Sequence, residues 1–502
     1  MHRFLSLIAL SALATAGASA ADTPARPNIL FIAVDDLKPT LGVYGDPIAR
    51  TPNIDRLAAR GLLFQNAYCN QAVCAASRNN LLVGSRSTTL GIYNLSTNFR
   101  RSVPDAVTLP QYFMRHGYRT EGMGKIFHIG HGNIDDPASW SVPFLKDNLV
   151  DYALPASTDG GKLTREGALF GNSKPDGVPI KDLPRGAAWE NANLPDTAYA
   201  DSRIADHAIA SLRNAKAKPN EPLFLAVGFM RPHLPFSVPK KYWDLYDRAQ
   251  LPLATRRTMP DGAPAYAGKT LGELNQYTPF PDAPPLTEEL ERTAIHGYCA
   301  SVSYMDAQLG RVLDELDRLS LATNTIIVLW SDHGWHLGDH GMWTKHTNYE
   351  QANHIPLMIV APGVTRPGTR TTAMTETVDL YPTLAELAGL PAPKVPQTLD
   401  GLSLLPVLRD PTASTKDHIV HVYPRNAPAH GGELLGRAVR TARYRLVEWK
   451  KIGAPAATAD LELYDYQTDP LETKNLAATQ PEVVAQLRAM LDREPMPRPP
   501  IR

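Results

Sequence analysis

The sequence predicts an α/β fold: a large mixed, mostly parallel sheet flanked by helices, with a smaller C-terminal α+β subdomain built on an antiparallel sheet. Three observations point there. The runs Asn28–Val34, Pro222–Gly228 and Asn324–Trp330 are continuously apolar and rich in Ile, Val, Leu and Phe, the pattern of strands buried on both faces. Each is followed by acids or histidines, and in open α/β sheets ligands gather beyond the carboxyl ends of the strands. After residue 415 the strand-like runs His418–Tyr423, Arg437–Thr441, Arg443–Trp449 and Leu461–Asp465 follow one another before a closing helix, Glu482–Asp492.

The 502 residues suffice for one large and one smaller domain, read here as 26–410 and 415–502. Lys+Arg and Asp+Glu both number 51 and no long basic block occurs, which argues against a nucleic-acid partner. Residues 1–20 read as a secretory signal: Arg3, the apolar stretch Phe4–Ala16, then Ala18-Ser19-Ala20 as a cleavage site. A membrane anchor is the alternative, but the run is shorter than the roughly 20 residues a spanning helix needs. No later segment is long and apolar enough to span. The expected location is therefore periplasmic or secreted. Three cysteines, Cys69, Cys74 and Cys299, are too few for a disulfide framework.

In chain order, Thr51 and Pro52 open a helix that Gly61 is expected to end, with Ile54, Leu57 and Ala58 inward. Thr108–His116 is a second short helix. Trp140–Pro195 lacks periodicity and reads as loops over one face. Ala200–Ala215 is helical, and Leu251–Leu286 is Pro-rich and irregular. Thr287 starts a long helix to about Leu319 whose stripe of Tyr298, Val302, Met305, Leu309, Val312 and Leu316 is core, with Cys299 an inert thiol. Ile355–Val360 is a further strand.

The chemistry concentrates in five places. Asp35-Asp36 closes the first strand, and adjacent carboxylates repel unless a cation lies between them. In isolation the pair would read as capping acids. Gln71-Ala72-Val73-Cys74-Ala75-Ala76-Ser77-Arg78 places a cysteine where a helix begins, at its positive end, with an arginine fork four residues on. Alone, Cys74 would read as a buried thiol or half of a disulfide. Gly122-Met123-Gly124-Lys125-Ile126-Phe127-His128 brings a lysine and a histidine within reach of one site. Arg231-Pro232-His233-Leu234-Pro235 holds a histidine between prolines just past a strand. Asp332-His333 repeats the strand-end logic, and Lys345 follows in Trp343-Thr344-Lys345-His346. His336 and His346 could touch substrate, but the favoured reading of each is a solvated loop histidine.

These motifs resemble those of the type I, formylglycine-dependent sulfatases of the alkaline phosphatase superfamily, from about Arg26 to Leu476, and the iduronate-2-sulfatase branch in particular. Cys74-Ala75-Ala76-Ser77-Arg78 is similar to that family's signature, with Ala76 where most Cys-type members carry proline. The resemblance implies that a formylglycine-generating enzyme oxidises Cys74 and that the aldehyde hydrate attacks sulfur. It implies a Ca2+ site, with Mg2+ less favoured, made by Asp35, Asp36, Asp332, His333 and the modified Cys74. It further implies sulfate contacts from Arg78, Lys125, His128, His233 and Lys345. In that scheme His233 or Lys345 protonates the leaving alcohol, and His128 takes the proton that releases sulfate. The implied substrate is a sulfated carbohydrate, a 2-O-sulfated uronate of glycosaminoglycan type. Two alternatives stay open: a phosphate or phosphonate ester hydrolase of the same superfamily, and a non-catalytic sulfated-glycan-binding protein.

Overall fold

The parallel strands bring their C-terminal ends to one edge, and most of the residues singled out above follow them. The structure is a computed structural model that describes residues 26–175 and 177–501; the signal-like segment 1–20 lies outside them. The main sheet comprises β1 (Asn28–Val34), β2 (Leu62–Phe64), β3 (Arg119–Gly124), β4 (Leu223–Phe229), β5 (Thr325–Ser331), β6 (Leu357–Val360) and β7 (Thr369–Thr371). Their order across the sheet is β7-β2-β6-β5-β1-β4-β3. β1 is central and parallel to both β4 and β5, with Val34 level with Phe229 on one side and Ser331 on the other. β3 joins β4 in parallel, and β6 runs antiparallel between β5 and β2, which makes the sheet mixed.

Every residue of β4 and β5 is buried, as the unbroken apolar runs require. Two cores result. One face packs under α5 (Ala200–Ala217) and α6 (Glu288–Arg318); the other packs against α2 (Cys74–Val83), α3 (Leu109–Arg115) and α7 (Leu380–Leu387). Thr287 caps α6 by accepting from Leu290 N, and all six residues of its expected stripe are buried. Thr108 and Gln111 form a reciprocal capping box on α3.

Three local expectations are corrected. Helix α1 (Pro52–Ala58) has no side-chain cap from Thr51 and ends three residues before Gly61. Gly61 serves close approach instead, because a Cβ there would lie 2.3 Å from Ile359 O. The stretch 140–195 is not all loop: Thr164 caps α4 (Arg165–Gly171), which lies beside the site. Strand β3, which was not expected, starts at Arg119 and runs into the motif that begins at Gly122.

The C-terminal sheet is antiparallel in the order β8 (His418–Ala427), β9 (Gly432–Thr441), β10 (Tyr444–Lys450) and β11 (Asp460–Asp465). Helix α8 (Pro481–Arg493) closes it, burying Val484, Leu487 and Leu491 against Val439, Leu446 and Leu463. Among the described residues no helix is long and apolar enough to cross a membrane.

Candidate active site

Asp35 and Asp36 leave the end of β1, and Asp36 turns through a left-handed backbone (φ 62°) that sends successive carboxylates different ways. Asp35 goes to Arg78 and Lys125; Asp36 goes to Lys345. Asp332 and His333 leave β5, Lys125 leaves β3, and His233 lies in the turn after β4. Cys74 is the first residue of α2, with Val73 extended before it.

Arg78 is wholly buried and uses its whole fork within the protein. Its Nη2 donates to Asp35 Oδ1 at 2.9 Å and its Nε to Asp332 Oδ2 at 2.9 Å. Its Nη1 donates to the carbonyls of Lys125 and Ile126. The fork expected to face a substrate oxyanion therefore aligns two carboxylates instead. Lys125 Nζ donates to the other oxygen of Asp35. Lys345 Nζ donates to both oxygens of Asp36, at 3.0 and 3.1 Å.

Among the described residues, one donor atom from each of Asp35, Asp36, Cys74 and His333 lies within 4.8 Å of the others, a buried group fit to hold a metal ion. Asp332 stands just beside it, its Oδ2 3.5 Å from His333 Nε2. His333 Nδ1 lies 3.0 Å from the Gly334 carbonyl; donation there leaves a lone pair on Nε2, which is 3.2 Å from Cys74 Sγ. The charges support the fit. Four carboxylates (Asp35, Asp36, Asp332, Glu273) face three fixed cations (Arg78, Lys125, Lys345). Burial pushes the Asp36 carboxyl well up despite Lys345, and Asp35, Glu273 and Asp332 push it further. Burial would raise Asp35 too, but Lys125, His233 and Arg78 hold it well below the usual range. A divalent cation relieves that repulsion and makes the cluster net positive.

Burial lifts the Cys74 thiol well above its ordinary value, outweighing Lys125 and Lys345. A protein thiolate is thus disfavoured there. His233 Nδ1 lies 2.6 Å from the Leu234 carbonyl, and its Nε2 stands 4.0 Å from Asp36 and 3.9 Å from Glu273. Burial lowers both His233 and His128 well below the ordinary imidazole value, with Lys345 and Lys125 adding to the effect on His233 and Lys125 to that on His128.

Two histidines correct the sequence reading. His336 is buried, with Nε2 2.8 Å from Thr347 Oγ1. His346 is also buried, with Nδ1 3.2 Å from Lys269 Nζ and its ring against Tyr423. Neither is a solvated loop residue. All three cysteines are free, and burial lifts Cys299 to about 12, as an inert thiol should be.

Residues outside the motifs complete the site. Glu273 Oε2 lies 2.7 Å from Lys345 Nζ. Phe170 of α4 stands edge-on to His128, His131 and His233, with centroids 5.8, 4.9 and 5.5 Å away. Both come from stretches without periodicity, so no pattern in the sequence marks them.

A mostly parallel sheet that carries acids, lysines and histidines around a cysteine at a helix start, with alkaline-phosphatase-like topology, defines an ester hydrolase built to receive a tetrahedral anion. The comparisons narrow this. The sulfatase family model matches residues 27–390, and the N-sulphoglucosamine sulphohydrolase C-terminal model matches residues 338–495. Iduronate 2-sulfatase of Mus musculus is 35% identical over 518 aligned positions, which cover 89% of this chain and 90% of that protein. Two solved structures share the fold over 93% of this chain. One is the phosphonate monoester hydrolase from Silicibacter pomeroyi (TM-score 0.71, 24% identity, 94% of that chain). The other is a protein in complex with its substrate D-glucosamine-2-N,6-O-disulfate (TM-score 0.70, 23% identity, 97% of that chain). The chain belongs to the sulfatase family and is a sulfuric ester hydrolase.

Proposed function

We propose that the protein removes sulfate from a sugar, a 2-O-sulfated uronate of glycosaminoglycan type, with a formylglycine made from Cys74 and with Ca2+. The observation that carries this is the placement of Cys74 at the start of α2, beside His333 and among Asp35 and Asp36, together with the family match. The relative named iduronate 2-sulfatase supports the sugar class. The buried, protonated thiol supports modification, since it is a poor nucleophile as it stands.

Asp35, Asp36, Asp332 and His333 would hold Ca2+ with residue 74; their carboxylate-rich set suits a hard cation. Together the ion and the hydrated aldehyde supply an activated hydroxyl and a second hydroxyl through which sulfate can leave. The chain's own residues do the rest. Arg78 fixes the carboxylates of Asp35 and Asp332. Lys125 and Lys345 counter the charge on the ester oxygens. Lys345 Nζ, or His233 once the charge of the bound sulfate has protonated it at Nε2, delivers a proton to the leaving alcohol, and His128 takes a proton at residue 74. The domains expected at 26–410 and 415–502 then divide catalysis from a C-terminal support. Maturation by a formylglycine-generating enzyme and export to the periplasm or medium belong to the same reading.

Fragmentation mass spectrometry of the tryptic peptide Gly61–Arg78 from protein made in its native host tests the nucleophile, Ala76 notwithstanding. A formylglycine mass at Cys74, with sulfate released from 2-O-sulfated uronate, supports the proposal; an intact thiol refutes it and favours a sulfated-glycan-binding protein. The fold shared with a phosphonate monoester hydrolase makes phosphorus esters the second reading. Faster turnover of an aryl phosphodiester than of any sulfate ester would establish it.

A further inference from the structure

His131 belongs to none of the motifs, yet its Nδ1 lies 3.3 Å from His128 Nε2. Two ring nitrogens at that distance share one proton, and its place decides which end of His128 is basic. The remaining nitrogen, His128 Nδ1, is buried with no partner among the described residues. A proton there would be a buried donor without an acceptor, near the cations Lys125 and Arg78. A lone pair there is unpartnered too, but the neighbouring cations favour it where they disfavour a proton. The shared proton therefore belongs to His128 Nε2, donated to His131 Nδ1. Lys125, Asp35 and Arg78 surround His128, Glu273, Lys125 and Lys345 surround His131, and Phe170 stands edge-on to both rings. Burial pushes His131 down to about 4, so its ring is neutral at neutral pH and has one nitrogen free to accept.

The turn that holds His131 is anchored to α4. His131 N donates to Leu169 O at 2.8 Å, Gly132 N to Asn172 Oδ1 at 2.8 Å, and Asn172 Nδ2 to Asn133 O at 2.8 Å. His131 itself sits at φ 55°, a left-handed backbone that is uncommon outside glycine and that His, like Asn and Asp, adopts more readily than most residues.

We infer that His131 is a positioning residue: by accepting the Nε2–H of His128 it fixes that ring's tautomer and leaves Nδ1 as the proton acceptor of the site. The inference rests on the proposed hydrolytic reading and adds to it a residue that the motifs do not contain.

Two variants test it. His131→Gly relaxes the backbone and removes the acceptor, whereas His131→Asn suits the same backbone and offers Oδ1 in place of Nδ1. His131→Gly is expected to keep or raise Tm, yet lose about tenfold in kcat with KM little changed. His131→Asn is expected to recover most of that loss. Long-range proton–nitrogen spectra of histidine-labelled protein, assigned with His128→Gln, should show the Nε2–H tautomer of His128 in wild type and His131→Asn and a mixture in His131→Gly. An unchanged kcat and spectrum in His131→Gly overturns the inference, as does an Asn variant no better than the Gly variant. If the wild type cleaves no sulfate ester, the proposed function falls, and the tautomer spectra still decide the role of His131.

Discussion

Gly124 and Gly228 lie side by side at the ends of β3 and β4, and neither has room for a side chain. A Cβ on Gly228 would lie 2.3 Å from the Lys125 carbonyl oxygen, and one on Gly124 would lie 2.1 Å from Gly228 O. The Lys125 carbonyl also receives Arg78, so this crossing sets the height of both cations. Gly228→Ala should cost about 1–3 kcal/mol through overpacking. It should also lower kcat by about tenfold or more, because small displacements of positioned groups are costly. Thermal unfolding and steady-state kinetics on one preparation measure both.

Arg78 bridges two carboxylates that its removal would leave buried and unpaired. Arg78→Lys keeps the charge but cannot reach Asp35 and Asp332 together. Breaking a buried pair of this kind costs about 3–5 kcal/mol. The expected result is a large fall in Tm and loss of turnover even where mass spectrometry shows residue 74 matured. A variant with near wild-type Tm would show that the fork is dispensable to the carboxylates.

The parts of the fold readable from sequence are those whose burial is uniform or strictly periodic. β1, β4, β5 and α6 announce themselves because both faces of the strands, or one long stripe of the helix, must be apolar. β3 did not, because Arg119, Thr120 and Glu121 open it and Gly122 and Gly124 leave no side chains to read. In the site, Asp35 and Asp332 were legible as strand-end groups, and Lys125 only as one half of a Lys–His pair. Glu273, Phe170 and His131 were not, since the irregular segments that carry them reach the site only through tertiary packing. His336 and His346 misled for the same reason: a loop composition does not say that the loop is buried.

Metal dependence should be visible without any turnover. Asp36 is repelled by Asp35, Glu273 and Asp332 when no cation is present. Binding to the folded state adds about 2.7 kcal/mol at a hundred times Kd. Chelation should therefore lower Tm, Ca2+ should restore it, and Mg2+ should restore it less, given its stricter geometry. Asp36→Asn should remove the Ca2+-dependent rise. Calorimetric scans with and without each ion read this directly, and a wild type indifferent to both ions would contradict the proposed site.

Glu350 and Arg440 tie the C-terminal sheet to the catalytic part. Arg440 on β9 donates to both oxygens of Glu350, at 3.1 and 3.2 Å, while its guanidinium stacks 3.6 Å from the Tyr466 ring centroid. Burial alone would raise the Glu350 carboxyl, but Arg440 and His354 hold it down to about 2, against an ordinary 4.5. The folded value is depressed, so folding favours the ionised form. The resulting stabilisation, about 3 kcal/mol, is complete above pH 4.5 and is lost as pH falls towards 2. Glu350→Gln should therefore be much less stable than wild type at neutral pH, and the gap should close through the acid range. Urea unfolding of both proteins between pH 7 and pH 3 measures the gap. A constant difference across that range would mean that the pair acts through packing and not through charge.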